Sequence, residues 1–446
     1  MYSRNKTAAA VTVGCRLNQA DTALIFGRLR DAGYEIVEPD SEGPIGVIII
    51  NSCAVTASAS QKSRQYVRAC RRKHPEAKII VTGCESEVEK EFWKSEKAVD
   101  IYLPNTEKTE ILDHINGKSP EQKTANKKVF MEKTTGFYPF RSRAFIKVQE
   151  GCEAFCTYCI VPYARGPERS RDHKEIICEF RNLLEQGFKE IILTGVNIST
   201  YRDGKLGLSE LLTELLDIEG DFRIRLSSTE PHLENKKLIG IMNDNLKLCR
   251  FLHLPLQHGA DEILKLMGRK YSTEDFADFA EEAISSVPGI HLGTDVICGF
   301  PGETEKLFEK SCRFIESIPF ANLHVFSFSP RKRTPAASYA DKVQPKLVKE
   351  RHRKLEDIDD NLANKFLDSQ LGETLRILIE KVHLNGDVEG LPAYGGSKGN
   401  FACEGWSDNY IRVVSKLKDA KAGSFADVLA LERSGNVLLA EHTEKT

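Results

Sequence analysis

Residues Ala144–Cys159 read AFIKVQEGCEAFCTYC: a short apolar run, a Glu-Gly break, and three cysteines, Cys152, Cys156 and Cys159, in C-x3-C-x2-C spacing. The run predicts a buried strand, and the break at Gly151 places the cysteines on the loop that follows it. The same alternation recurs downstream, with strands predicted at Ala144–Gln149, Glu190–Gly195, Phe222–Ser228, Arg250–Leu256, Ile290–Ile297 and Asn322–Phe328. Amphipathic helices fill the gaps; Ile176, Ile177, Phe180, Leu183 and Leu184 form one apolar face, and Phe276, Phe279, Ala280 and Ala283 another. Six βα steps predict a barrel or incomplete barrel over residues 143–370, closing with a helical stretch at Pro345–Gln370. In such a fold the chemistry sits on the loops at the carboxyl ends of the strands, where the cysteine triplet lies.

Three thiolates hold three irons of a [4Fe–4S] cluster and leave the fourth iron with open positions. An open iron chelates a small molecule through an amine and a carboxylate, the pair that S-adenosylmethionine carries beside its sulfonium. An electron passed to that sulfonium cleaves a C–S bond and releases a 5′-deoxyadenosyl radical, with the protein left to bind, orient and exclude side reactions. Tyr158, inside the triplet, is placed to pack against the adenine. The alternative is a three-cysteine zinc site with a distant fourth ligand, and no nearby His or Cys completes it.

Upstream, residues 1–117 alternate β-branched runs at Val11–Val13, Val47–Ile50 and Lys78–Val81 with helical stretches near Ala20–Ala32 and Ala57–Arg72. This predicts a small open parallel α/β sheet. Each strand runs into a turn and a cysteine: Gly14-Cys15, Asn51-Ser52-Cys53 and Gly83-Cys84. Ligands of open sheets bind beyond the carboxyl ends of the strands, so Cys15, Cys53 and Cys84 converge on one edge. Read alone, three unrelated buried thiols are the alternative. Residues 118–142 form a polar linker, and residues 371–446 a small all-β barrel with runs at Leu375–Glu380, Tyr410–Ser415, Phe425–Glu432 and Val437–His442. The architecture expected is therefore α/β with a closing β-barrel.

Composition narrows the function classes. The 446 residues carry 63 Lys and Arg against 65 Asp and Glu, a net charge of -2, so any nucleic-acid surface must be a local patch. Two such patches occur. Seven bases face one acid from Gln61 to Lys78, where Arg64, Arg68, Arg71 and Arg72 share a helical stripe. Nine bases face two acids from Ser329 to Lys354. The amino end lacks the apolar core of a signal peptide and no apolar run is long enough to span a membrane, so a cytoplasmic chain without a membrane partner is expected. Twelve cysteines in such a setting read as thiols, metal ligands or catalytic groups rather than disulfides. The six outside the two trios (Cys70, Cys178, Cys249, Cys298, Cys312 and Cys403) share no spacing and read as small buried hydrophobes.

The central triplet resembles that of the radical S-adenosylmethionine superfamily. Its neighbours, GCRLNQAD, NSCAVT, VTGC, EGCEAFCTYCIVPYARGPERSR, LTGVNIS, RIRLSSTEP, HLPLQHGADEILKLMGRKY, TDVICGFPGET and FSPRKRTPA, are similar to those of the methylthiotransferase family, and the final segment is similar to its TRAM domain. GCRLNQ, the PYARGP run and FSPRKRTP look most like the MtaB type, which acts on tRNA bearing N6-threonylcarbamoyladenosine beside the anticodon. The resemblance implies a second [4Fe–4S] cluster on Cys15, Cys53 and Cys84 that carries sulfur. It also implies two equivalents of S-adenosylmethionine, one as methyl donor and one as radical source, the substrate being the anticodon stem-loop. The expected product carries a methylthio group on C2 of the adenine at position 37. An electron donor such as flavodoxin or ferredoxin and a sulfur source are implied as well. Rival readings are a methylthiotransferase for isopentenyladenosine tRNA or a ribosomal protein, and a non-catalytic tRNA-binding iron–sulfur redox sensor.

Further contacts are expected at strand ends. Gly195 and Asn197 fall where superfamily members contact the methionyl amine, Ser227 and Ser228 end the third barrel strand, and Gln257 follows the fourth. Gly299 would let backbone approach the adenine. Arg331 or Arg333, just after the last barrel strand, is expected to read the carboxylate of the threonylcarbamoyl group, with the remaining basic residues tracking phosphates.

Overall fold

The computed structural model describes residues 6–118, 136–231, 236–383, 402–417 and 419–442. Most of the linker expected at 118–142 therefore lies outside the described residues. The first unit is a five-stranded, all-parallel sheet in the order β2-β1-β3-β4-β5. Its strands are β1 (Thr7–Thr12), β2 (Glu35–Ile36), β3 (Val47–Ser52), β4 (Lys78–Gly83) and β5 (Ile101–Tyr102), with helices α1 (Arg16–Asp31), α2 (Ala57–Lys73), α3 (Cys84–Val88), α4 (Lys90–Ser95) and α5 (Ile111–Ile115). Ile48, Ile49 and Ile50 are fully buried because helices cover both faces; each such side chain contributes about 1.5–3 kcal/mol. Thr56 caps α2 by accepting the Ala59 N–H at 3.1 Å.

The second unit is an incomplete (βα)6 barrel. Strands β6 (Arg143–Lys147), β9 (Glu190–Thr194) and β12 (Arg223–Leu226) pair in parallel, as do β13 (Phe251–His253), β14 (His291–Cys298) and β15 (Asn322–Ser327). A lone parallel bridge, Ile224 to Leu248, joins the two halves. Two short pairs decorate the loops: β7 (Gln149–Glu150) with β8 (Arg169–Ser170), and β10 (Arg202–Asp203) with β11 (Leu206–Gly207). Helices α6 (Val161–Arg165), α7 (His173–Glu185), α8 (Leu208–Leu216), α9 (Lys236–Asp244), α10 (Asp261–Met267), α11 (Thr273–Ser286), α12 (Glu305–Ser317) and α13 (Pro345–Asp368) follow in chain order. Asp172, Ser272 and Thr304 cap α7, α11 and α12. The outward strand residues Ile146, Ile191, Leu193 and Leu292 pack on α7, α11 and α12 through Phe180, Phe276 and Ile315 in one large apolar core. Helix α1 joins that core through Ala20 and Ala23 and so lies against β6, at one edge of the open barrel.

The last unit is a closed barrel in the order β16-β17-β18-β20-β19, built from β16 (Thr374–His383), β17 (Ala402–Ser407), β18 (Arg412–Lys416), β19 (Phe425–Ser434) and β20 (Val437–His442). Its Ser407–Tyr410 turn docks on the amino ends of the central strands. Arg223 donates to the Arg376 and Trp406 carbonyls at 2.8 Å each, and Arg225 donates to those of Asp408 and Ser407 at 2.8 and 2.9 Å. Both guanidiniums also hold Glu190, which is fully buried. Of the six cysteines outside the trios, four are buried as expected, whereas Cys70 is half-buried and Cys178 is exposed on α7.

Candidate active site

The loop carrying Cys152, Cys156 and Cys159 is held from both ends. At its start Gly151 has φ +79°, and a Cβ there would sit 1.9 Å from the Pro167 carbonyl oxygen; only glycine lets the two backbone passes approach this closely. Gln149, fully buried, accepts the N–H groups of Val196 and Asn197 on Oε1 at 2.9 and 3.1 Å and donates from Nε2 to the Gly151 carbonyl at 2.9 Å. The far end is tied to α10, where the Thr157 N–H donates to the Met267 carbonyl at 2.9 Å and its hydroxyl to that of Leu266 at 2.8 Å. Arg269 reaches the Cys156 sulfur at 3.4 Å. Burial pushes the Cys152 thiol up to about 11 and that of Cys159 up to about 12. At neutral pH the bare thiols keep their protons, and a bound metal must supply the charge that makes them thiolates.

A cavity of about 250 Å³ opens directly on this loop. Its walls include all three cysteines, Tyr158, Asn197, Gln257 and, from the first sheet, Val55 and Thr56. Tyr158 also packs on Ile263, Met267 and Phe300, which fixes its ring against the wall. Three of the expected contact residues stand elsewhere. Gly195 backs onto Gln149, its missing side chain leaving room for that residue's carbonyl and amide oxygens, each 2.9 Å from a Cβ placed there. Ser227 is buried on the inner face of the β12 strand end, its hydroxyl without a partner. Gly299 faces α13, where a Cβ would meet Val348 at 2.6 Å, and its N–H goes to Glu303. Its place is thus one of helix packing rather than contact with the cavity. Asn197 caps the turn after β9 by accepting the Ser199 N–H. Glu230, Arg269 and Asp295 line the cavity without having been singled out in the sequence. Asp295 accepts from His253 and His324 at 3.1 Å each, which with burial opposed holds its carboxyl well below the usual carboxylate range.

The second trio converges from three strand ends. Cys15 caps α1, Cys53 follows β3 and Cys84 opens α3. A Cβ on Gly14 would lie 2.9 Å from both Cβ and Sγ of Cys53. Asn18, fully buried, draws the ends together by donating to the Val13 and Ser52 carbonyls at 2.7 and 3.0 Å. Cys15 is exposed while Cys53 and Cys84 are buried, so this corner opens on one side only. Among the described residues, the groups whose ligand atoms all fall within 4.8 Å of one another contain no cysteine. Zinc with Zn–S bonds of about 2.3 Å would bring its sulfurs to roughly 3.8 Å. Neither trio is that compact throughout, and sets of three thiols at loop and strand ends fit iron–sulfur clusters.

One arginine joins the two trios. Arg165, at the end of α6, donates from Nε to the Cys84 sulfur at 3.2 Å, from Nη1 to Glu150 at 2.7 Å, and from Nη2 to Asn18 at 2.5 Å and Asp21 at 3.1 Å. Lys108 and Lys147 hold the same Asp21 at 2.8 and 2.6 Å. Three buried cations therefore share two buried carboxylates; burial raises the Cys84 thiol, which would supply a third negative charge once a bound metal displaces its proton. Ala54 and Cys84 pack directly on Ile160 and Ala164 of the cysteine loop and α6. Cys84 thus lies against the loop and helix that carry the central trio, while the cavity on the central trio takes Val55 and Thr56, but none of Cys15, Cys53 and Cys84, into its walls.

The basic patches resolve differently from expectation. Arg64, Arg68 and Arg71 of the α2 stripe pair with Glu85, Glu96 and Asp100, tying the helix to its own sheet; only Arg72 of the four stands exposed without such a carboxylate. Arg331 is buried and donates to the Ser60 hydroxyl at 3.0 Å, so it serves the contact between α2 and the last barrel loop. Arg333 is exposed, with φ +74°.

Residues 146–315 match the Radical SAM superfamily, and residues 7–104 match Uncharacterized protein family UPF0004. The chain is 38% identical to a Chlamydia pneumoniae protein named threonylcarbamoyladenosine tRNA methylthiotransferase MtaB, over 84% of this chain and 87% of that one. A Bacillus subtilis protein of the same name is 35% identical over 96% and 94%. A tRNA-2-methylthio-N(6)-dimethylallyladenosine synthase from Geobacillus kaustophilus is 34% identical over 83% and 72%. The radical S-adenosylmethionine methyltransferase TsrM from Kitasatospora setae superposes with a TM-score of 0.55 at 14% identity, covering 75% of this chain and 77% of that one, which shows a shared fold.

Proposed function

The chain belongs to the tRNA methylthiotransferase family, and from that premise we propose that it replaces the C2 hydrogen of N6-threonylcarbamoyladenosine at tRNA position 37 with a methylthio group. The family's cofactors are [4Fe–4S] clusters and S-adenosylmethionine. Cys152, Cys156 and Cys159 would hold one cluster and Cys15, Cys53 and Cys84 the other. When bound, these groups supply the sulfur, the methyl group and the radical that removes an unactivated hydrogen. The observation that supports this reading is the packing of Ala54 and Cys84 on Ile160 and Ala164, which sets the second trio's loops beside the central one, because hydrogen removal and sulfur delivery must reach the same carbon.

The residues around the trios have work of their own. Gln149 and Gly151 fix the loop, so that three sulfurs keep one orientation toward the cavity. Tyr158 offers an aromatic wall for the adenosyl group, and Val55 and Thr56 bring the sulfur-carrying corner to that same wall. Arg165 holds the Cys84 sulfur and locks the two α/β units at fixed distance. Among the described residues no helix is long and apolar enough to cross a membrane, and a cytoplasmic enzyme that meets tRNA, a small electron carrier and a sulfur source fits this reading.

Digestion of tRNA from a strain lacking the gene tests it. The 2-methylthio form of N6-threonylcarbamoyladenosine should be missing, and the anaerobically reconstituted protein should restore it. Loss of the 2-methylthio form of isopentenyladenosine instead would shift the substrate. A reduced protein that releases no 5′-deoxyadenosine from S-adenosylmethionine would leave only a redox sensor. The Cys15/Cys53/Cys84→Ala variant should keep about half the iron and still cleave S-adenosylmethionine, yet form no methylthio nucleoside.

A further inference from the structure

The interior of the open barrel holds an arginine for which the described residues provide no counter-ion. Arg16 follows Cys15 directly and opens α1. Its guanidinium lies 5.3 Å from the Phe251 ring and 5.1 Å from the Tyr410 ring, and Nη1 meets the Leu226 carbonyl at 3.5 Å. The other arginines of this region have carboxylates: Arg143 has Glu380 at 2.8 Å, Arg223 and Arg225 share Glu190, and Arg250 has Asp408 at 2.7 Å. Among the described residues no carboxylate oxygen comes within 4.0 Å of Arg16. Its other polar neighbour is the Tyr410 hydroxyl, so its partners here are a backbone carbonyl and a phenol. Arginine nonetheless stays protonated in proteins, so the site keeps a desolvated positive charge at a cost.

A hydroxyl without a partner follows the carbonyl that Arg16 meets. Ser227 is the residue after Leu226, on the same face of its strand as Arg223 and Arg225, and its buried hydroxyl has no partner. Gly14 and Cys15 are exposed and Arg16 is part-exposed, whereas Ser227 is buried. A desolvated guanidinium flanked by aromatic rings, with a spare hydroxyl nearby, suits a planar carboxylate.

We propose that Arg16, assisted by the Ser227 hydroxyl, receives the free carboxylate of the substrate's threonylcarbamoyl side chain. This rests on the functional reading above and moves the carboxylate-reading role from Arg331 and Arg333 to the residue beside Cys15. Neighbouring Cα atoms are about 3.8 Å apart, so a carboxylate held by Arg16 tethers its adenine close to the corner that delivers sulfur. A dimethylallyl side chain has no charge to offer here, and binding it would leave the guanidinium buried and unpaired.

The test uses the reconstituted holoenzyme and two anticodon stem-loops, one with threonylcarbamoyladenosine and one with its methyl ester. The wild type should favour the free acid by at least about 30-fold in kcat/KM. Arg16→Gln should bring that ratio to within about 3-fold, and Arg16→Lys should retain most of the preference. A wild type that treats acid and ester alike overturns the proposal, whatever the variants do. A ratio left intact in Arg16→Gln, with both substrates slowed equally, also overturns it, because a structural role acts on both. A wild type that methylthiolates neither stem-loop refutes the functional reading itself.

Discussion

Replacing Arg165 with methionine removes one cation from the cluster that joins the two trios while keeping most of the side-chain volume. The side chain is 2% exposed and reaches Glu150, Asp21, Asn18 and the Cys84 sulfur. Breaking a buried pair costs about 3–5 kcal/mol. Lys108 and Lys147 remain to balance Asp21 and Glu150, so the lower end, about 3 kcal/mol, applies to folding. For a cooperative unit of this size that lowers Tm by about 6–12 °C. Arg165 is the cation that opposes burial at the Cys84 thiol, so without it the thiolate a metal needs is harder to form, iron at the second trio should fall and total iron should drop toward one half. Differential scanning fluorimetry on metal-free protein, with iron and sulfide counts after anaerobic loading, reads the two effects separately. Arg165→Lys should recover part of both. A methionine variant that melts within about 2 °C of the wild type and holds all its iron would show that the charge count at Cys84 is wrong.

Other variants probe the remaining supports. Gly151→Ala forces a Cβ onto the Pro167 carbonyl; it should abolish iron at the central trio and cleavage of S-adenosylmethionine, with iron at the second trio retained by count. Glu190→Gln leaves Arg223 and Arg225 buried without their shared carboxylate, a loss of about 3–5 kcal/mol that should release the final β-barrel and expose its linker to limited proteolysis. Acid should do the same to the domain contact. Lys108, Lys147 and Arg165 hold the Glu150 carboxyl down to about 2 against burial, and that of Asp21 is also depressed. The folded state binds fewer protons, so this stabilisation is complete above about pH 4.5 and lost as the pH falls toward 2. Fluorescence of the two tryptophans, Trp93 in the first unit and Trp406 in the last, follows the transition. A melting temperature that does not fall across that range would contradict the ion network.

The sequence made the sheets and the trios legible because both are local patterns. Runs such as Val47–Ile50 and Glu190–Gly195 are buried strands because both faces are covered, and that leaves a continuous apolar signal. Each cysteine of the second trio follows such a run, so convergence at a sheet edge follows from topology alone. What stayed hidden depends on contacts between distant segments. Arg165 meets Asp21 across 144 residues, and nothing local distinguishes it from Arg169. The α2 stripe looked free to track phosphates because its partners, Glu85, Glu96 and Asp100, come from beyond the next strand. Gly299 looked like a ligand-facing turn, and only the packing of α13 through Val348 shows what its missing side chain accommodates. Arg16 stands within GCRLNQ, but its lack of a carboxylate partner is invisible until the surrounding side chains are placed.

The six-stranded barrel is not closed, and α1 covers only the β6 edge. At the opposite edge α13 packs on β15, whose Phe326 remains exposed beside the cavity. A sealed eight-stranded barrel admits only what passes through its mouth end-on, which suits a metabolite free to tumble. A nucleobase attached to a polymer arrives with two strands of backbone trailing from it. A ring of six strands whose edges are closed by helices α1 and α13, rather than by further strands, suits a base that arrives with its backbone attached.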